Sequence, residues 1–244
     1  MFPKRYRRYV EPFLGSGSVF FHLQPKAALL GDTNEELIAA FRGIKRGWRK
    51  AWKLLKEHQE RHSYDHYYAT RVAQPRSAAE KAARLIYLNR ACFNGIYRVN
   101  LKGRFNVPKG TREAILYDTD DFAAAATLLQ KAELRVADFE ELISEAKRGD
   151  LVFADPPYTV RHNLNGFIKY NEQLFSWDDQ VRLALSLHRA RRRGVNIVST
   201  NANHESVREL YERQGFKLCT VSRFSSISAA ADSRRQFEEL LITG

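Results

Sequence analysis

The chain has 244 residues, a mass of 28.2 kDa, 44% hydrophobic and 12% aromatic residues, and a net charge of +12. That length fits one domain with an insertion or two small domains with a sizeable core, and excludes a multidomain motor or polymerase. The recurrence of apolar residues excludes disorder. No apolar run approaches the roughly 20 residues of a membrane span, and the opening MFPKRYRRYVEPF carries no secretory h-region.

The elements follow in chain order. Residues 9–14 (YVEPFL) read as a short strand ending in the turn GSGS at 15–18, and residues 27–31 (AALLG) as a second buried strand leading to Asp32. A helix is predicted from Thr33 as N-cap, with Glu36 three residues on. Leu37, Phe41, Ile44, Trp48, Trp52 and Leu55 recur every three or four residues and form its predicted core face. Residues 42–132 lack the strand–helix rhythm and read as helices plus a hairpin near 93–107, which carries the turn signals Asn94-Gly95 and Lys102-Gly103. LRVAD at 134–138 is the third strand, followed by a helix to about Lys147. LVFAD at 151–155 is the fourth, its unbroken hydrophobicity suiting a buried parallel strand. Asp178 to Arg193 is an amphipathic helix, NIVSTN at 196–201 the fifth strand, and His204 to Gln214 a helix closed by Gly215. Two last strands, 216–223 and 237–243, are joined by a Ser/Ala/Arg-rich loop and pair antiparallel. The pattern predicts an α/β fold with an open, mainly parallel sheet, interrupted after its second strand by an inserted unit.

The charge sits in that insert. Residues 42–112 hold 18 Lys and Arg against four acids, a local net of +14, while the rest of the chain nets −2. With three aromatic clusters in the same segment, the block points to nucleic acid; the bland alternative is a solvated helical face. Cys92 and Cys219 are the two cysteines, too few for a disulfide framework, which points to a reducing, cytoplasmic setting.

Two motifs carry chemistry. Phe13-Leu14-Gly15-Ser16-Gly17 ends the first strand, where glycines let backbone approach a ligand; alone it is also a tight turn. Asp32 ends the second strand, where an acid accepts hydrogen bonds from a ribose diol; it is also a helix-start acid favoured by the dipole. Asp155-Pro156-Pro157-Tyr158 ends the fourth strand. Two prolines fix the backbone and remove two donors, leaving the Asp155 carboxylate and Pro156 carbonyl as paired acceptors beside an aromatic ring. That arrangement suits a planar ring bearing an amino group. His58, His62 and His66 are four apart, a spacing that metals use, though histidines exposed on a DNA-facing helix account for it better. Cys92 reads as packing.

FLGSG followed by DPPY resembles the S-adenosylmethionine-dependent N6-adenine DNA methyltransferases, and YLNRACFNGIYRVNLKGRFNVP at 87–108 is similar to the target-recognition hairpin of the Dam family in the D12 class. The resemblance runs from Tyr9 to the end of the chain. It implies a Rossmann-like methyltransferase sheet with the last strand antiparallel, and divides the chain into a cofactor-binding catalytic domain, 1–41 with 133–244, and an inserted helical DNA-recognition domain, 42–132. In the cofactor pocket it places Phe13, Gly15 and Gly17 on the methionyl side, Asp32 at the ribose, Asp138 and the Phe139 N–H at the adenine, and Asp155 between cofactor and base. Asp155, Pro156, Pro157 and Tyr158 are the catalytic set, acting without a metal on an adenine flipped out of the duplex.

In the hairpin, Arg98 is assigned bidentate contact to guanine. Phe93 or Tyr97 is assigned a wedging role, Asn94 a base edge, and Lys102, Arg104 and Lys109 phosphate. The segment 159–175, with Tyr170 or Phe175, is expected to close over the base, and the loop 222–235 to contact DNA. The implied partner of this monomer is double-stranded DNA, with GATC the leading site and a cognate restriction enzyme left open. The sequence departs from the family in lacking its N-terminal segment with a K-W-x-G-G-K type motif. The alternatives are therefore a DNA-binding remnant with little turnover, and an RNA methyltransferase, against which the hairpin argues.

Overall fold

The buried runs around Val10, Leu29 and Val152 assemble a seven-stranded sheet in the order β3-β2-β1-β4-β5-β7-β6. The structure, a computed structural model, describes residues 2–95, 98–100, 105–159, 175–224 and 236–244. The strands are β1 Tyr9–Glu11, β2 Ala28–Asp32, β3 Ala132–Val136, β4 Leu151–Ala154, β5 Asn196–Ala202, β6 Lys217–Phe224 and β7 Gln236–Thr243. β1 pairs parallel with β2 and β4, and β4 with β5; β7 runs antiparallel between β5 and β6. β1 and β4 are buried along their whole length, as strands covered on both faces must be. The parallel register carries the ends of β1, β2, β4 and β5 to one edge, with the order reversing about β1, where open α/β sheets form their ligand crevice.

The sequence is divided between two compact units, Met1–Thr33 with Arg135–Gly244, and Asn34–Leu134. In the first, Val10, Leu29, Val152, Ile197, Leu240 and Ile242 pack against α6 Phe139–Ser144, α7 Trp177–Arg192 and α8 Glu205–Arg213. Ser176 and Asp179 form a reciprocal capping box at α7. A short helix, α1 Ser18–Leu23, follows the glycine turn.

The second unit contains α2 Glu35–Glu60, α3 Tyr64–Val72, α4 Ala78–Ala91 and α5 Phe122–Leu129. Its start at Asn34 precedes the residue 42 read from charge, because charge marks where basic residues begin and α2 begins earlier. Asn34, not Thr33, caps α2, its Oδ1 accepting the Leu37 N–H at 3.1 Å. The core face is also rotated from the predicted stripe: Ile38, Ala40, Gly43, Ile44, Ala51 and Leu55 are buried, whereas Leu37, Phe41, Trp48 and Trp52 are partly covered. Close approach of α4 explains this, since a Cβ on Gly43 would lie 2.1 Å from the Ala78 carbonyl oxygen. Small residues form the seam, and the larger rings flank it, with Trp52 against Phe122 at 5.0 Å. Part of the positive charge is structural. Arg84 is buried and donates to Thr70 O, Arg71 O and Glu36. Arg90 holds Asp120 in two 2.6 Å bonds.

The three histidines do not share one exposed helix face. α2 stops at Glu60, and the half-buried rings form a network: His58 Nδ1 to His66 Nε2 at 2.9 Å, and His62 Nδ1 to the Tyr87 hydroxyl at 2.9 Å. Tyr87 stacks on His58 at 4.7 Å. Burial, then His66 and Arg61, push His58 from 6.5 down to about 4; burial first, then Arg61 and His62, lowers His66. A histidine with a depressed folded pKa contributes its stability in full above the unfolded value and loses it as pH falls toward the folded one. The melting temperature should therefore drop between pH 7 and pH 5, by roughly 2–4 °C for each kcal/mol lost in a chain of this length. His58→Gln should flatten that dependence in melts followed by tryptophan fluorescence. An equal drop in the variant would remove His58 as its source.

Candidate active site and DNA-contact residues

The glycine turn is fixed from both sides. Leu14 N–H donates to Gly31 O at 2.9 Å and Gly17 N–H to Leu14 O at 2.7 Å. Gly15 and Gly17 have φ of +47° and +69°, the left-handed region that glycine enters without strain. Gly15 N–H donates to Asp32 Oδ2 at 3.1 Å, tying the turn to the end of β2. A Cβ on Gly15 would meet nothing within 4 Å, so the turn is open on that side.

Phe13 stacks on Phe139 at 5.3 Å and meets Phe175 edge-on at 5.6 Å. Asp138 caps α6, its Oδ1 accepting the Glu140 N–H and an Arg182 N–H, each at 2.9 Å. Arg182 also bonds Asp179 and Glu140, and its guanidinium lies 4.9 Å from the Phe139 ring centroid. Asp138 and the two aromatics that follow from Phe13 thus form one assembly braced by Arg182.

Asp155 follows β4 and is exposed, while Pro156 behind it is buried. Its Oδ1 accepts hydrogen bonds from Thr200 Oγ1 at 2.5 Å and the Tyr158 hydroxyl at 3.4 Å. Burial first, then the neighbouring carboxylates of Asp155 and Glu239, raise the Tyr158 hydroxyl above the ordinary phenol value, so it stays a donor. Glu11 ends β1 and is 3% exposed. Burial raises its carboxyl to about 8, the Tyr9 hydroxyl opposing and the Asp155 charge adding. Neither Glu11 Oε2 nor the Tyr9 hydroxyl has a partner at hydrogen-bond geometry. A buried acid held neutral beside a second acid would give up its proton against a cationic ligand, whose charge favours the carboxylate.

In the second unit, antiparallel bridges Cys92–Lys109 and Val99–Phe105 define the hairpin. Asn94-Gly95 lies at its base, in a tight helical turn with φ of +55° and +66°, rather than at its tip. Phe93 is 55% exposed. Arg98 is exposed, its Nε donating to Asn106 Oδ1 at 3.1 Å. Lys109 is drawn to Glu113 at 3.2 Å, an ion pair that a phosphate would have to displace. Tyr97, Lys102, Arg104 and Tyr170 lie outside the described residues, as do most of the segments 159–175 and 222–235. Cys92 is buried in this unit's core.

Sequence reasoning missed Thr200, Arg182 and any role for Glu11. Thr200 was within reach: it is the last hydroxyl of NIVSTN, and the β4–β5 register pairs Ala154 with Ser199, which brings the next residues, Asp155 and Thr200, alongside.

Sheet order, glycine turn and the Asp155–Tyr158 corner together have the form of a Rossmann-like methyltransferase. The chain belongs to the D12 class N6 adenine-specific DNA methyltransferases, whose family model matches residues 1–227. It is 32% identical over 252 residues to the type II methyltransferase M1.LlaDCHI of Lactococcus lactis subsp. cremoris, covering 100% of this chain and 88% of that protein. It is 32% identical over 239 residues to the DNA N-6-adenine-methyltransferase of Escherichia phage P1, covering 96% of this chain but 32% of the phage protein. It is 30% identical over 246 residues to the DNA adenine methylase of Haemophilus influenzae, covering 98% and 85%. Among the described residues no helix is long and apolar enough to cross a membrane, and no group of three or more acidic, His or Cys side chains could hold a metal ion.

Proposed function

We propose that this enzyme transfers a methyl group from S-adenosylmethionine to the N6 amine of adenine in double-stranded DNA, at GATC-type sites. The observation that carries the reading is the Asp155 corner, where two hydroxyl donors converge on one carboxylate oxygen beside a buried, rigid proline. The other oxygen and the Pro156 carbonyl are the acceptors for the two amine hydrogens, and the Tyr158 ring is the stacking surface for the base. The amine is a weak nucleophile because its lone pair is delocalised. Bonds to two acceptors favour a pyramidal nitrogen, and the Asp155 charge stabilises the positive charge that develops on it. The base reaches this corner only by leaving the duplex stack.

The residues at the crevice fit the cofactor. Asp32 suits the ribose hydroxyls, the open Gly15 side admits close approach, and Asp138 with the Phe139 N–H suits the adenine. Glu11 adds an orphaned buried oxygen suited to the cationic methionyl end. S-adenosylmethionine would supply an electrophilic methyl on its sulfonium. Asp32→Ala should weaken its affinity about ten- to a hundredfold, the worth of hydrogen bonds to a charged group. Equal calorimetric affinity in wild type and variant would remove Asp32 from the site.

The DNA assignment rests on the basic insert and on the hairpin, with Phe93, Asn94 and Arg98 at the bases and Lys102, Arg104 and Lys109 at phosphate. Tyr97 is a second candidate wedge. The DNA substrate and two free thiols support a cytoplasmic location. Plasmid DNA treated with the protein and S-adenosylmethionine should resist an endonuclease that cuts GATC only when its adenine is unmethylated. Full cleavage after treatment, with methyl incorporated elsewhere, would overturn GATC; a chain that binds DNA without turnover would leave every site cleavable and incorporate nothing.

A further inference from the structure

We infer that Thr200 is a positioning residue for the methyl-transfer step: it locks the Asp155 carboxylate in one rotation so that Oδ2 is presented to the target amine, an assignment that rests on the function proposed above.

An exposed aspartate has a broad terminal torsion, and a carboxylate that turns freely presents its acceptors in many directions. Here Thr200 Oγ1 donates to Oδ1 at 2.5 Å, and the Tyr158 hydroxyl reaches the same atom at 3.4 Å. Both donors fall on one oxygen, which singles out the other as the acceptor for substrate. A threonine suits the task because its branched Cβ restricts χ1, so the hydroxyl is aimed by the backbone of β5 as well as by its own bond.

That backbone is itself anchored. Ser199 Oγ donates to Ala154 O at 2.8 Å, joining β5 to β4 one residue before the Asp155–Thr200 pair. On the other side of Thr200, the buried amides of Asn201 and Gln180 bond reciprocally, Asn201 Nδ2 to Gln180 Oε1 at 3.1 Å and Gln180 Nε2 to Asn201 Oδ1 at 3.4 Å. Asn201 Oδ1 also accepts the Ala202 N–H at 2.9 Å. Thr200 therefore projects from a clamped strand end, between one bond that fixes the strand pairing and another that fixes the strand to α7. A hydroxyl needed only for packing would not require this support, nor would it point at the Asp155 carboxylate.

The test is Thr200→Val, which keeps the branched shape and removes the donor, beside Thr200→Ser, which keeps the donor. Single-turnover methyl transfer at saturating DNA and S-adenosylmethionine should fall roughly ten- to a hundredfold in Thr200→Val, the scale of a misplaced reacting group. Affinities for both ligands should stay unchanged, and Thr200→Ser should retain most of the rate. Should Thr200→Val fail to fold, Thr200→Ala is read in the same way. A wild-type rate in the donor-free variant, or equal losses in both variants, would overturn the inference. A wild-type enzyme that methylates no adenine would instead sink the function proposed above. A crystal structure of Thr200→Val separates the two failures: an Asp155 carboxylate that keeps its rotation without the hydroxyl overturns the positioning role whatever the activity.

Discussion

Asp155→Ala is expected to reduce methyl transfer to background while duplex DNA affinity stays near wild type. A preorganised group aimed at developing charge is worth about 10²–10³ in rate, and the proposed mechanism gives Asp155 two further duties, accepting an amine hydrogen and orienting the lone pair. Asp155→Asn should be nearly as impaired, because its amide oxygen accepts one bond but carries no charge. The Thr200 and Tyr158 hydroxyls would also then face a group half of which is a donor. DNA affinity should survive because the hairpin residues assigned to DNA, Arg98 and Lys109 among them, belong to the other compact unit. Tyr158→Phe should be milder than Tyr158→Ala, since stacking needs the ring. The assays are tritiated methyl transfer and a duplex gel shift on the same preparations. Substantial transfer by Asp155→Ala would contradict the mechanism, and loss of DNA binding with it would assign Asp155 to folding.

Arg98→Ala is expected to lose about 1–3 kcal/mol of discrimination at one base pair. Arg98 Nε is committed to Asn106, which leaves the two terminal nitrogens as the fork that would read guanine O6 and N7 under the proposed role. Lys102→Ala should weaken every sequence alike and flatten the salt dependence, as the loss of a phosphate contact does. Binding to cognate and random duplexes across a salt series distinguishes the two. Equal losses on both duplexes in Arg98→Ala would remove it from base reading.

The sheet was legible because its strands are short apolar runs bounded by turn residues, and the candidate site at Asp155 because Asp-Pro-Pro-Tyr is a rare way to end a strand. Asp32 could be paired with the glycine turn on spacing alone, and the Gly15–Asp32 bond joins them. The face of α2 was misread because hydrophobicity ranks Trp48 and Trp52 above Gly43, whereas close helix packing selects the small residue. The histidines were misread because their spacing of four presumes one continuous helix, and α2 ends between them. The charge count had no means of telling Arg84 and Arg90, locked to carbonyls and Asp120, from arginines available to DNA. Thr200 and Glu11 acquire meaning only when β1, β4 and β5 stand side by side.

The central claim is chemical, and one product decides it. Wild-type protein incubated with tritiated S-adenosylmethionine and a duplex containing GATC, followed by digestion to nucleosides and chromatography, should yield the label in N6-methyldeoxyadenosine. Label recovered in a cytosine derivative, or DNA without label under conditions in which the protein binds both ligands, would contradict it.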